Sequence, residues 1–387
     1  MSHGRALACL GQRGRTAMSA RMKSRTQAVR MRALGLAMLT SLGACRAQDP
    51  GPAGALEARP APATAVAETA QEDDGEQRAV TAGAGLVGRA APAITLTTID
   101  GQPIDLARLV GKKPVYLKFW ATWCVPCREQ MPGFADIHAK MADRIEVIAV
   151  NTGFSDDEAA VRAFRQEFGL QMPIVIDDGR LAEAFNLRVT PQHVLIGRDG
   201  RIAHVGHLAD ARLDEALRTA LADDGKAPAA SLAAASPDAR PLAPGDLVRD
   251  LSLTTGGETV SLGGAGKPSA LVFFAPWCES YLAESRPATA TACRRVREQV
   301  EALAAKGDVH WLGVSSNLWT SERDLNEYRT TTGTKLPLAL DASGAVFRAF
   351  GVREIPAVAV LDAAGRLVRV LGPQEQDIAA ALAAAGD

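Results

Sequence analysis

Apolar residues along this chain gather in short runs separated by polar, helix-like stretches. In the region 86–221, Val115–Trp120 is an apolar run of strand length, the segment after it to Lys140 has helical composition, and Ile145–Asn151 is a second such run. That order predicts a βαβ unit. Asp156–Phe168 reads as an amphipathic helix, Ile174–Asp177 as a strand and Gly179–Phe185 as a short helix. Val194–Gly197 with Ile202–Gly206 predicts a hairpin, and Asp210–Leu221 a closing helix. Alternation of this kind implies an α/β fold whose central sheet, parallel in part, is covered by helices on both faces.

The pattern occurs twice. Leu96-Thr97-Thr98 is answered by Leu253-Thr254-Thr255, and Phe119-Trp120-Ala121-Thr122-Trp123-Cys124 by Phe273-Phe274-Ala275-Pro276-Trp277-Cys278. Thr190-Pro191 opens an apolar run that ends in Asp199-Gly200-Arg201; Ile355-Pro356 opens another that ends in Ala364-Gly365-Arg366. The expected organisation is therefore a duplicated domain, at 86–221 and 245–383, joined by an Ala/Pro-rich linker at 222–244.

Ahead of the first copy, Arg21–Arg32 is basic, Ala33–Ala44 is small and apolar, and no acidic residue precedes Asp49. This predicts a signal peptide over 1–44, with Met18, Met22 and Met31 as candidate starts. The apolar run is shorter than the ~20 residues a spanning helix needs. It ends in Leu42-Gly43-Ala44-Cys45, which resembles a bacterial lipobox and implies lipidation of Cys45. An ordinary signal with an accidental cysteine is the alternative. Residues 45–85 show no apolar period and are expected to be a flexible, disordered tether.

Charge and composition narrow the function. A net charge of -1 and 5% aromatic residues leave no basic face for phosphates and little for stacking on bases, so no nucleic-acid partner is expected. The six cysteines, Cys9, Cys45, Cys124, Cys127, Cys278 and Cys293, are too sparse for a disulfide scaffold.

Their placement carries the chemistry. Trp123-Cys124-Val125-Pro126-Cys127 falls where a strand gives way to a helix, and residues three apart on a helix share a face. Cys124 at the helix N-terminus would meet unpaired N–H groups and the positive dipole end, which favour a thiolate and make it the nucleophile. Cys127, a turn deeper, would resolve the mixed disulfide. Half of a zinc site is the competing reading, but no second ligand pair is in view, so no metal and no cofactor is expected. His193, His204 and His207 default to packing or surface roles, a copper-carrying role for His193 being the weaker option.

The run from Phe119 to Cys127, followed by Glu129 and Pro132, resembles the TlpA-like branch of the thioredoxin superfamily. The resemblance covers 86–221 and, with the duplication, implies two tandem thioredoxin-like domains; it also implies a cis-proline loop at Thr190-Pro191 beside the cysteines, open to partner chains. It also implies an envelope reductant, on the periplasmic side, of protein disulfides, apocytochrome c among them, recharged by a membrane electron donor protein. A non-catalytic envelope binding lipoprotein is the rival function.

The second copy departs from the motif, with Trp277-Cys278-Glu279-Ser280-Tyr281. Tyr281 stands at the resolving position, so no dithiol cycle can run there. Cys293 lies fifteen residues on, about 22 Å along a straight helix, and bonding it to Cys278 requires a helix break, which Pro287 could supply. Partner binding, a structural disulfide and a peroxide-reducing thiol resolved by Cys293 compete, the first two favoured. Ile355-Pro356 keeps the probable cis-proline loop. Finally, Lys118 stands where thioredoxins carry a buried acid. Either its cation lowers a cysteine pKa from beneath the CxxC pair, or its stem packs and its ammonium snorkels to water.

Overall fold

A computed structural model describes residues 74–226, 229–234, 240–262, 266–375 and 377–386. The expected signal peptide, Cys45 and the tether as far as residue 73 lie outside the described residues. Two five-stranded mixed sheets, each flanked by helices, build two thioredoxin-like domains.

In the first, β1 (Val115–Trp120) leads through α2 (Val125–Met141) to β2 (Glu146–Asn151), then through α3 (Glu158–Phe168) to β3 (Ile174–Ile176). After α4 (Arg180–Ala184), the hairpin β4 (Gln192–Ile196) and β5 (Ile202–Gly206) precedes α5 (Ala211–Ala222). The sheet order is β3-β2-β1-β4-β5, parallel among the first three strands and antiparallel at β4 and β5. All six residues of β1 are buried, as expected for a central strand covered on both faces.

The second domain repeats the topology. Its strands β6 (Ser269–Phe274), β7 (His310–Ser316), β8 (Leu338–Asp341), β9 (Ala357–Leu361) and β10 (Leu367–Leu371) lie in the order β8-β7-β6-β9-β10. Where the first domain has one helix after its central strand, the second has two: α6 (Cys278–Ser285) ends at Arg286, and α7 (Pro287–Ala304) begins with the proline at its first position. Pro287 has no N–H to continue α6 but fits the first turn of a new helix. Then come α8 (Glu322–Thr332), α9 (Ala345–Ala349) and α10 (Ile378–Gly386).

Two stretches read as unstructured are ordered. Residues 74–83, expected to belong to the tether, form a helix, α1. Its contact face is Gly75, Ala79, Ala82 and Gly83, at helical spacing, with both alanines buried. A Cβ on Gly75 would stand 2.6 Å from His207 Nε2, and one on Gly83 2.5 Å from Val205 Cβ. The face packs because its residues are small, so it leaves no apolar stripe in the sequence. In the linker, Ala233–Ala234 pairs in parallel with Pro92–Ala93. Among the described residues no helix is long and apolar enough to cross a membrane.

Candidate active site

Cys124 is the N-cap residue of α2, in extended backbone, and Pro126 occupies the first turn. Its Sγ is bonded to that of Cys127 at 2.00 Å and accepts the Cys127 N–H at 3.2 Å. The same donor and the helix dipole would stabilise a thiolate at Cys124 after reduction. The Thr190-Pro191 bond is cis, and Thr190 O lies 3.3 Å from Cys124 Sγ, so strand β4 begins against the Cys124 sulfur. Trp123 is fixed by donation from its Nε1 to Phe154 O at 2.9 Å.

Beneath the motif lies a polar cluster. Lys118 of β1 is directly opposite His193 of β4 in the sheet, on the face that α2 covers with Gln130 and Phe134. Lys118 Nζ donates to Gln130 Oε1 at 3.0 Å and sits 5.7 Å from the Phe134 ring centroid. His193 Nε2 is 2.8 Å from the same oxygen and its Nδ1 is 2.7 Å from Tyr116 Oη. Because Gln130 Oε1 can only accept, His193 carries its proton on Nε2 and accepts the Tyr116 hydroxyl at Nδ1. Burial holds His193 well below its ordinary pKa, which keeps this neutral tautomer.

Lys118 has no exposed surface, so its ammonium does not snorkel to water, contrary to that expectation. The strand centre is too far from solvent for the stem to reach out, and burial lowers the Lys118 pKa to about 7. His207, beyond the end of β5, meets Pro191 O at 2.6 Å through Nδ1, and its N–H and that of Leu208 donate to Glu76 of α1. Glu76, Gln130, Tyr116 and Asp156 carry no recognisable spacing, and sequence reasoning misses all four.

Asp156 Oδ2 accepts from Thr122 N at 2.7 Å and Asn151 Nδ2 at 2.8 Å, and Oδ1 from Thr122 Oγ1 at 2.6 Å. This carboxylate, with no exposed side-chain surface, anchors the turn that leads into the CxxC helix. Its cationic partner, Arg286 Nη2 at 2.7 Å, comes from the second domain.

In that domain Cys278 and Cys293 are bonded, with Cα atoms 6.4 Å apart. The break at Arg286 folds α7 back along α6 and brings the two thiols together. Cys278 Sγ lies 4.0 Å from Thr289 O, turned into the seam between the helices. Ile355-Pro356 is cis, and Trp277 Nε1 donates to Leu318 O at 3.0 Å, repeating the Trp123 anchor. The scaffold of the site is duplicated, while its dithiol is not.

Comparison with known proteins agrees with the duplication. A model described as the AhpC/TSA family matches residues 87–205, and one described as Redoxin matches 227–383. Thioredoxin-like protein YneN of Bacillus subtilis (strain 168) is 36% identical over 133 residues, 34% of this chain and 78% of that protein. Thiol-disulfide oxidoreductase ResA of Halalkalibacterium halodurans is 34% identical over 132 residues, 33% of this chain and 73% of ResA. The crystal structure of a thiol:disulfide interchange protein of the thioredoxin family from Chlorobium tepidum TLS is 28% identical, covering 34% of this chain and 95% of that one with a TM-score of 0.30. With its CxxC pair at the start of α2, the chain belongs to the thioredoxin-like proteins, as a thiol-disulfide oxidoreductase of the ResA type.

Proposed function

We propose that the protein is an envelope enzyme, tethered to a membrane through Cys45, that reduces protein disulfides through Cys124 and Cys127. The observation that carries this reading is the Cys124 sulfur, held at a helix N-cap by the Cys127 N–H and set against the carbonyl before a cis-proline. In the first step the Cys124 thiolate attacks one sulfur of the partner's disulfide. The partner's S–S bond breaks, and the departing thiolate takes a proton from solvent. Cys127, as thiolate, then attacks Cys124 Sγ, forming the intramolecular disulfide and releasing the partner's second thiol. Two electrons pass to the partner, and a membrane electron donor protein restores the dithiol. Apocytochrome c fits as a substrate class through the family resemblance. Purified protein from about Gln48 onward should reduce a protein disulfide when supplied with electrons; undiminished activity in Cys124→Ser would overturn the proposal.

In this reading 86–221 is the catalytic domain, after a signal peptide and tether, and 245–383 is a structural and partner-binding module. Cys278–Cys293 then acts as a staple. Replacing both with serine should lower stability by about 3 kcal/mol, from the entropy of a loop of this length, while turnover of the first domain stays largely intact. Calorimetry and a turnover assay check this together, and an equal loss of turnover would mean that electrons pass through both domains. For the anchor, mass spectrometry of the native protein should find a mature chain beginning at Cys45 with more than one acyl group, since a single chain binds only reversibly. A native form that is unmodified at Cys45 and stays in the soluble fraction would exclude it.

A further inference from the structure

The Trp123 and Cys124 side of the CxxC motif is covered, while Val125 stays 48% exposed. Cys124 retains 1% exposure and Trp123 3%, and what covers them is the equivalent face of the second domain. Trp277 stacks on Trp123 with ring centroids 5.2 Å apart, and Tyr281 meets Trp123 edge-on at 6.3 Å. The Tyr281 hydroxyl accepts the N–H of Val125, in the first turn of α2, at 3.2 Å. Tyr281 stands at the resolving position of its own degenerate motif and reaches into the intact one.

Two further contacts flank the cysteines. Arg286 is ion-paired with Asp156 and donates to Thr122 Oγ1 and to Ser155 O. On the other side, Trp319 N donates to Arg188 O at 2.7 Å, and Trp319 Nε1 reaches Thr190 Oγ1, beside the cis-proline, at 3.4 Å. Trp319 holds φ at 54°, a costly conformation for a bulky residue, and the docking contacts hold it there. Helix α1 fastens the arrangement, with Arg78 paired to Asp324 of α8 at 3.0 Å.

We propose that this is a closed resting state in which the degenerate domain occupies the docking groove of the catalytic one, and that turnover on a protein disulfide passes through an opened state in which the partner takes its place. The proposal rests on Cys124 being the nucleophile. Attack on a disulfide needs the partner's sulfur in contact with Cys124 Sγ, and the aromatic cover denies that approach to a folded chain. The seam is held by stacked rings, by the guanidiniums of Arg286, Arg78, Arg348 (on Glu183) and Arg353 (on Asp177 O), and by further hydrogen bonds, and separable interfaces between domains are of this more polar kind.

The test uses the whole soluble protein with Cys124–Cys127 reduced and Cys278–Cys293 intact, and follows alkylation of Cys124 by iodoacetamide at fixed pH by mass spectrometry. Arg286→Ala removes the cation paired with the buried Asp156 carboxylate, and Arg286→Ala/Trp319→Ala also removes the plug beside Thr190. Each should raise the rate by at least about tenfold over wild type, with the Cys124–Cys127 reduction potential unchanged and Arg286→Lys partly restoring protection. Tyr281→Phe, which removes one hydroxyl and leaves the ring, should give a smaller rise and guards against a variant that fails to fold. Equal alkylation rates in wild type and in all variants that melt cooperatively would overturn the cap. If the variants alkylate faster yet none reduces a protein disulfide, the cap stands and the reductase reading fails.

Discussion

Cys127→Ala should leave partner proteins covalently attached to Cys124, whereas Cys124→Ser should lower turnover by at least about a thousandfold. The asymmetry comes from position on α2. Cys124, at the N-cap, receives the Cys127 N–H and the dipole of the helix, so in the proposed cycle its thiolate is the one that attacks first. A serine hydroxyl there is a far weaker nucleophile. Cys127 is fully buried and can meet only a sulfur already bonded to Cys124. Its removal stops the cycle at the mixed disulfide, because the second attack has no thiol to make it. Non-reducing gels and mass spectrometry of the trapped complexes check the prediction. Complexes equally abundant in Cys124→Ser/Cys127→Ala would show that the attachment is made elsewhere.

Lys118→Met should stabilise the fold by a few kcal/mol at pH 6, and the gain should shrink as pH rises. Burial lowers the Lys118 pKa from 10.5 to about 7 in the folded protein. Below pH 7 the side chain is charged in both states, and the folded state bears the whole cost of a buried ammonium. Between about 7 and 10.5 the folded protein gives up the proton that the unfolded chain still holds, so wild-type stability rises with pH through that window. Above it the two variants should converge, apart from the lost hydrogen bond to Gln130. Denaturant unfolding at several pH values measures the difference; a pH-independent gap would mean that Lys118 does not titrate there. Alkylation of the same variant tests the electrostatic role. If the cysteine pKa values and the reduction potential do not move, Lys118 acts through packing and through Gln130 alone.

The strands and helices of the first domain were legible because each is signalled locally, by an apolar run such as Val115–Trp120 or by an amphipathic stretch such as Asp156–Phe168, whose helix spans Glu158–Phe168. The dithiol was legible for the same reason: two thiols three residues apart at a strand-to-helix junction announce their own geometry. The cover over them was not. Arg286 and Asp156 are 130 residues apart, and nothing in either neighbourhood names the other. Tyr281 was a readable hint, an aromatic ring where a resolving thiol belongs, but its direction depends on how the domains meet. Helix α1 escaped notice because its buried face is glycine and alanine, residues that also fill flexible tethers. The lysine of β1 stands out through the family resemblance, at the position of the buried acid of thioredoxins, while its depth and its partner Gln130 follow from how α2 lies across the sheet.

The short pairing of Ala233–Ala234 with Pro92–Ala93 sets how far the two domains can part. The second domain takes hold of the chain again at Leu242, whose N–H donates to Ala349 O. Seven residues lie between Ala234 and Leu242, eight Cα-to-Cα steps that span at most about 28 Å when fully extended. A module on so short a leash returns to its groove at an effective concentration in the millimolar range. Opening and closing are then first-order events, indifferent to how dilute the protein is. A disulfide-bearing partner present at micromolar levels must outbind that local concentration before it reaches Cys124, so occupancy of the groove is a contest between affinity and tether length.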